Sequence, residues 1–169
     1  LQKTYNCIGL DNYAALLKRR SDFTDAFLFT LRFSLLNILF VNAAGLLLAL
    51  IVDSRLKSRL LLRAVFFSPN VISLIVVGFL WKFMFSSVLY QLGGKFGLPF
   101  LQYSFLGNPD TIVYPIAGVS LWQSVGLAMI IYLAGLQGIP AELKEAMLAD
   151  GANRMQQFRK LTVPLLVPA

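Results

Sequence analysis

Residues 111–141 read TIVYPIAGVSLWQSVGLAMIIYLAGLQGIPA, 31 positions without a single Asp, Glu, Lys or Arg. Roughly 20 apolar residues suffice to carry a helix across the hydrocarbon of a bilayer. A run this long and this apolar exceeds what a buried helix of a soluble domain needs, so it reads as a membrane span over about 111–138. Pro115 sits early enough to kink that helix rather than end it. Working outward, AFLFTLRFSLLNILFVNAAGLLLALIV at 26–52 carries only Arg32, near one end, where its side chain can snorkel to the interface. The stretch AVFFSPNVISLIVVGFLWKFMF at 64–85 places Trp81 and Lys82 as interfacial anchors at its far end, with Pro69 distorting its first turns. Three spans and no strand pattern predict an all-α, polytopic membrane helical bundle.

Composition agrees. The 169 residues are 57% hydrophobic and 14% charged, against about 25% charged in soluble domains. The net charge of +7 is then read as loops held against anionic lipid, not as a nucleic-acid surface. A single cysteine, Cys7, excludes an internal disulfide, and the lack of any His removes the commonest metal ligand and general base. No metal site, cofactor or catalytic residue is expected. The chain opens on Leu1 and ends on LLVPA, where another apolar run starts, so it reads as a piece of a longer protein.

Loop charges set an expected orientation. Arg55, Lys57, Arg59 and Arg63 follow the first span, and Lys144, Arg154, Arg159 and Lys160 follow the third; the positive-inside rule assigns both segments to the cytoplasm. The opposite side then receives Lys95 and an amino-terminal segment, 1–25, with Lys3, Lys18, Arg19 and Arg20. Eight bases inside stand against five outside. Within that segment Asp11 can cap a short surface helix with Tyr13, Leu16, Leu17 and Arg20 on one face.

After the longest uncharged run comes a charged one. Residues 142–164, ELKEAMLADGANRMQQFRKLTVP, hold seven of the 23 charged residues. Pro140 suits the first position of a helix, and Glu142 and Glu145 lie where the helix dipole favours acids. Ala141, Ala146, Ala149 and Ala152 allow close approach of another surface, and Gly151 marks a bend. Met155, Phe158 and Leu161 then recur every three residues until Pro164 closes the segment. Spacing alone leaves two readings: a pair of short helices built to meet a partner, or an ordinary solvated loop.

The segment resembles the cytoplasmic loop signature of permease subunits of bacterial ABC importers: Glu-Ala-Ala, three residues, Gly, nine residues, then Ile-x-Leu-Pro. Here the matching positions are Glu145-Ala146-Met147, Gly151 and Leu161-Thr162-Val163-Pro164, and Asp150 and Ala152 complete the DGA frequent in the carbohydrate-type branch. Met147, Leu161 and Val163 depart from the pattern by apolar exchange, and Met155 stands where Trp is frequent. IGLDNY at 8–13, FFSPNVIS at 66–73 and IYLAGLQGIPAELKEA at 131–146 are also similar to maltose and glycerol-phosphate type permeases. The resemblance implies at least one further span before this sequence and two after it. It implies a cell-membrane permease subunit that pairs with a second permease and two ATP-binding subunits and receives a sugar or related solute from an extracytoplasmic binding protein. The loop 139–164 would couple to the ATPase through Glu145, Ala146, Asp150, Gly151, Ala152, Leu161 and Pro164.

Polar residues at membrane depth are a second set. Asn37 and Asn42 in the first span, and Ser120, Gln123 and Ser124 in the third, can line a sugar pathway, with Asn42, Gln123 and Ser124 the candidates; more often such side chains serve as interhelical hydrogen-bonding glue. Gly45 and Ala49 form a small-xxx-small pair, and Trp122 can stack on a sugar or pack. GGKFG at 93–97 lacks the spacing of a phosphate loop, so ATP is expected on another chain. An intramembrane enzyme would need convergent acids or a nucleophile, which the spans lack. A self-contained secondary carrier or channel stays open as the alternative to an importer permease.

Overall fold

The computed structural model describes residues 9–11, 13–14, 20–54, 58–102 and 105–166. The expected amino-terminal surface helix falls largely outside them, as do Cys7, Lys18, Arg55 and Lys57. Its described part is helical at Asp11, Tyr13 and Ala14, with Leu10 O accepting from the amides of Tyr13 and Ala14, so Leu10 and not Asp11 stands at the cap position.

Helix α1 (Arg20–Asp53) is the first long element. A second pass is built from α2 (Arg59–Val71) and α3 (Leu74–Phe96), the latter interrupted by a π-helical stretch at Met84–Val88. A short 3₁₀ turn (Pro99–Gln102) leads on to α4 (Val113–Gln137). Three helices, Phe23–Asp53, Leu74–Phe96 and Val113–Gln137, are long and apolar enough to cross a membrane. Their large apolar side chains lie mostly exposed, among them Leu35, Leu39, Phe79 and Ile131, which suits a chain whose solvent is lipid.

Helices α1 and α4 run parallel. Ser120 Oγ donates to Asn37 Oδ1 at 2.9 Å, and a Cβ on Gly45 would stand 2.7 Å from Ala128 Cβ; both pairs are 83 residues apart, as a parallel register requires. Gly45 is thus where the two backbones close up, the packing role of its small-xxx-small motif. On the other face of α4, α2 approaches even more closely. A Cβ on Gly126 would overlap the carbonyl of Phe66 and stand 2.7 Å from Phe67 Cα, so no larger residue fits.

The second pass differs from the single helix expected over 64–85. It breaks at Ile72 and Ser73, whose ψ angles of 132° and 136° are extended, and resumes at Leu74 to run on to Phe96. Pro69 lies inside α2, three residues before the break. Its missing N–H leaves Val65 O without the usual helical donor, and Ser68 Oγ supplies one at 2.9 Å. The break itself is held from α4: Gln123 Nε2 donates to Ile72 O at 3.2 Å. Backbone polar groups in lipid need such partners, because no water can serve them. In GGKFG, Gly97 takes φ +63° and caps α3, a structural role for those glycines. Pro115 falls in the first turn of α4, where a missing N–H breaks no intrahelical bond.

Candidate coupling segment and polar seam

At the end of the bundle where α1 and α4 finish, the chain makes two short helices. The first, α5, spans Ala141–Ala149. Pro140 takes its cap position rather than the first helical one, with ψ 134° feeding the chain in, and Glu142 lies in the first turn. Helix α5 then stops in a Schellman arrangement: the amide of Ala152 donates to Met147 O at 2.9 Å and that of Gly151 to Leu148 O at 3.0 Å. This geometry requires a left-handed residue after the cap, and Gly151 supplies it with φ +76°.

Two residues later a new helix is already capped. Asn153 Oδ1 accepts from the Gln156 amide and Gln156 Oε1 accepts from the Asn153 amide, both at 2.8 Å, a reciprocal capping box. From there Arg154–Gln157, a π-helical Phe158–Thr162 and Val163–Leu166 run on without interruption; this composite is α6, residues 154–166. Pro164 therefore does not close the segment as the sequence suggested. The π register passes the Val163 amide to Phe158 O, five residues back, and carries the helix through a proline that has no amide to give its four-back carbonyl.

The two arms have different environments. No residue of α5 is buried, and Glu145 and Ala146 are exposed, as are Asp150 and Gly151 just after it. Among the described residues Glu145 has no hydrogen-bond or ion-pair partner. On α6, Leu166 is 5% exposed and joins Ala49, Val52, Met129, Leu133, Leu136 and Ile139 in one core, with Leu161 packed against it. Ala152 is half-buried and Pro164 exposed. Six of the seven residues expected for coupling thus divide between an exposed helix-and-bend surface (Glu145, Ala146, Asp150, Gly151) and the bend and anchor behind it (Ala152, Leu161), while Pro164 lies exposed within the anchoring helix.

Polar residues at membrane depth form a seam. Asn42 Oδ1 accepts from Tyr132 Oη at 2.7 Å while its Nδ2 donates to Ile38 O at 2.6 Å; together with Asn37 and Ser120 this ties α1 to α4. Asn42 and Tyr132 also line a cavity of about 510 Å³ with Leu46, Ala128, Ile131 and, from α6, Val163 and Leu166. Gln123 and Ser124 do not line that cavity: Gln123 is committed to Ile72, and Ser124, half-buried, lies two positions from Gly126. Tyr132 was not singled out in the sequence. Its signal was a phenol well inside an uncharged run, one of two with Tyr114, whose hydroxyl needs a partner at membrane depth. The described residues contain no group of three or more acids, His or Cys arranged to hold a metal.

Residues 41–169 match the family described as binding-protein-dependent transport system inner membrane component. The chain belongs to this family. It is a transport permease chain, not an enzyme, and multi-pass in the inner membrane. It is 35% identical over 162 residues, 96% of its length and 55% of the relative's, to a probable starch degradation products transport system permease protein of Thermoanaerobacterium thermosulfurigenes. It is 34% identical over 168 residues, 95% of its length and 55% of the relative's, to a trehalose/maltose transport system permease protein of Thermococcus litoralis. Among solved structures it resembles a bacterial ABC transporter involved in import of the acidic polysaccharide alginate, with a TM-score of 0.84 and 28% identity, over 98% of this chain and 58% of that one. The permease chain thus spans little more than half the length of the relatives it matches.

Proposed function

We propose that this chain forms the part of an importer permease that couples ATP hydrolysis to the opening of a carbohydrate pathway. The observation that carries the reading is the division of labour at Gly151: α5 is wholly outside the packed core while α6, joined to it through a hydrogen-bonded bend, is built into the ends of α1 and α4. A soluble ATPase subunit that takes hold of α5 would move α6, and with it Val163 and Leu166 at one wall of the Asn42–Tyr132 cavity. Asn42 is the residue of the polar set that this reading assigns to the solute path. Two ATP-binding subunits, a second permease and an extracytoplasmic solute-binding protein complete the assembly. Sugars, oligosaccharides and polysaccharides in the names of the relatives support the substrate class. The segment 139–164 faces the cytoplasm, as its basic residues direct.

The test uses the full-length permease in its complex. Glu145→Lys reverses the free carboxylate on α5, and Gly151→Pro imposes a φ near −65° where +76° is needed. Both variants are expected to insert at normal levels and to hold the second permease, while the ATPase subunit washes off and solute uptake falls by tenfold or more, about the loss of one charge-assisted contact. Retention of a fully stimulated ATPase by both would reduce the segment to a solvated connector.

A further inference from the structure

The cavity of about 510 Å³ assigned above to the solute path also bears on the charge of the solute. It lies at membrane depth, yet Asn42 is exposed there. Lipid tails offer an amide nothing to bond to, and polar side chains within spans face a polar filling. The bonds Asn42 already makes define what it has left. Its Nδ2 donates one proton to Ile38 O, and its Oδ1 accepts the single proton of Tyr132 Oη. One amide N–H therefore remains as a donor, and the phenolic oxygen, its proton committed, remains as an acceptor. The rest of the wall, from Leu46 and Ala128 to Ile131, Val163 and Leu166, is hydrocarbon.

We propose that the Tyr132–Asn42 pair is the selectivity element of this cavity, accepting neutral polyhydroxylated rings and turning away acidic saccharides. A sugar hydroxyl both donates and accepts. One hydroxyl can take the Asn42 N–H and a neighbouring one can give its proton to Tyr132 Oη, while the C–H face of the ring lies on the hydrocarbon wall. A carboxylate only accepts. It would use the amide donor but meet the lone pairs of Tyr132 Oη, and its charge would enter a low-dielectric site where none of the described lining residues is a base. Kinship leaves this choice open, since relatives are named for trehalose and maltose and for an acidic polysaccharide alike. The proposal rests on the reading of the cavity as part of the solute path.

The test uses the full-length permease complex without a solute-binding protein, so that only the permease selects, and with its native cysteines, Cys7 included, replaced by serine. Ile131 lines the cavity and is 46% exposed, so Ile131→Cys puts a thiol at the wall. A water-soluble methanethiosulfonate is expected to modify that thiol. Maltose and trehalose are expected to protect it, whereas digalacturonic acid, also a disaccharide, does not. Tyr132→Phe keeps the ring and removes the oxygen. It should raise the concentration of neutral disaccharide needed for half-protection by about fivefold, the worth of one neutral hydrogen bond, with the melting temperature of the complex near wild type. Equal protection by the acidic disaccharide, protection by none of the sugars, or protection unchanged in Tyr132→Phe would each overturn the selectivity and leave the path in place. A thiol that the reagent does not reach would show another helix filling the cavity and overturn the path as well. Neither result bears on ATPase retention by the Glu145 and Gly151 variants, which tests the coupling role separately.

Discussion

Helices α5 and α6 are separated by only four residues, 150–153, and resemble each other in sequence: both are short, both mix charge with apolar side chains, and both lie just past an uncharged span. Their surroundings are opposite. Helix α5 buries nothing, whereas α6 sends Leu166 into the core made by the ends of α1 and α4. In α5 the small residues Ala141, Ala146 and Ala149 leave the backbone open to a partner; in α6 the apolar residues are spaced to reach the bundle. The contrast teaches that a segment with one charge pattern can contain a surface for another protein and the anchor that transmits its motion, and that burial separates the two. Substitutions in α6 should therefore act on folding, those in α5 on coupling, and those in the bend on both.

The largest effect is expected at the anchor. Leu166→Ala removes most of a side chain that is 5% exposed, and deletions of this kind cost about 2–5 kcal/mol in well-packed sites. A marked fall in the melting temperature of the complex should accompany lost uptake, with the detergent-solubilised permease aggregating early. Leu148, 60% exposed on α5, is the matching control: Leu148→Ala should leave the melting temperature unchanged. Equal thermal shifts in the two variants would break the comparison between the arms.

The bend comes next. A Cβ on Gly151 meets nothing within 4 Å, so its demand is purely conformational. Gly151→Val should cost about 1–2 kcal/mol for a left-handed backbone, and Gly151→Asn, which tolerates that region, should recover most of the ATPase stimulation that Gly151→Val loses. Failure of Asn to rescue would mean that glycine is needed there for closeness to the partner and not for its φ.

How far the sequence led depends on how local each constraint is. The spans at 26–52 and 111–138 were legible because lipid imposes one requirement, an uncharged run, that every residue of the run displays. Gly151 was legible for the opposite reason: a Schellman turn asks one position for one property. The break at Ile72–Ser73 was not, since neither residue is a helix breaker and the carbonyl it exposes is met by Gln123, 51 positions away. The passage of α6 through Pro164 was hidden in the same way, because the rule that proline ends a helix is local, while the reason to continue is the burial of Leu166 against Ala49, Val52 and Leu133. The polar set was half legible. Asn42 was marked, but its partner Tyr132 and the cavity they share depend on the register of α1 against α4.

The smallest expected effect is also the sharpest separation of bend from anchor. Asn153 and Gln156 exchange side-chain to backbone hydrogen bonds at 2.8 Å, and Gln157 Nε2 donates to Ala152 O at 3.2 Å. Together these fix the direction in which α6 leaves the bend, but none touches the core, and Asn153 itself is exposed. Asn153→Ala should cost about 1 kcal/mol, the usual worth of a helix cap. Asn153→Ser, which also caps, should cost less. If α5 and α6 move as one body, the stiffness of the joint matters more than its stability: Asn153→Ala should then lower uptake per ATP hydrolysed while ATPase binding and the melting temperature stay near wild type. Gly151→Val should lower all three. Loss of transport from Asn153→Ala only in step with its small loss of stability would show that the cap merely holds α6 together, and the bend would have to be treated as a hinge and not as a rigid joint.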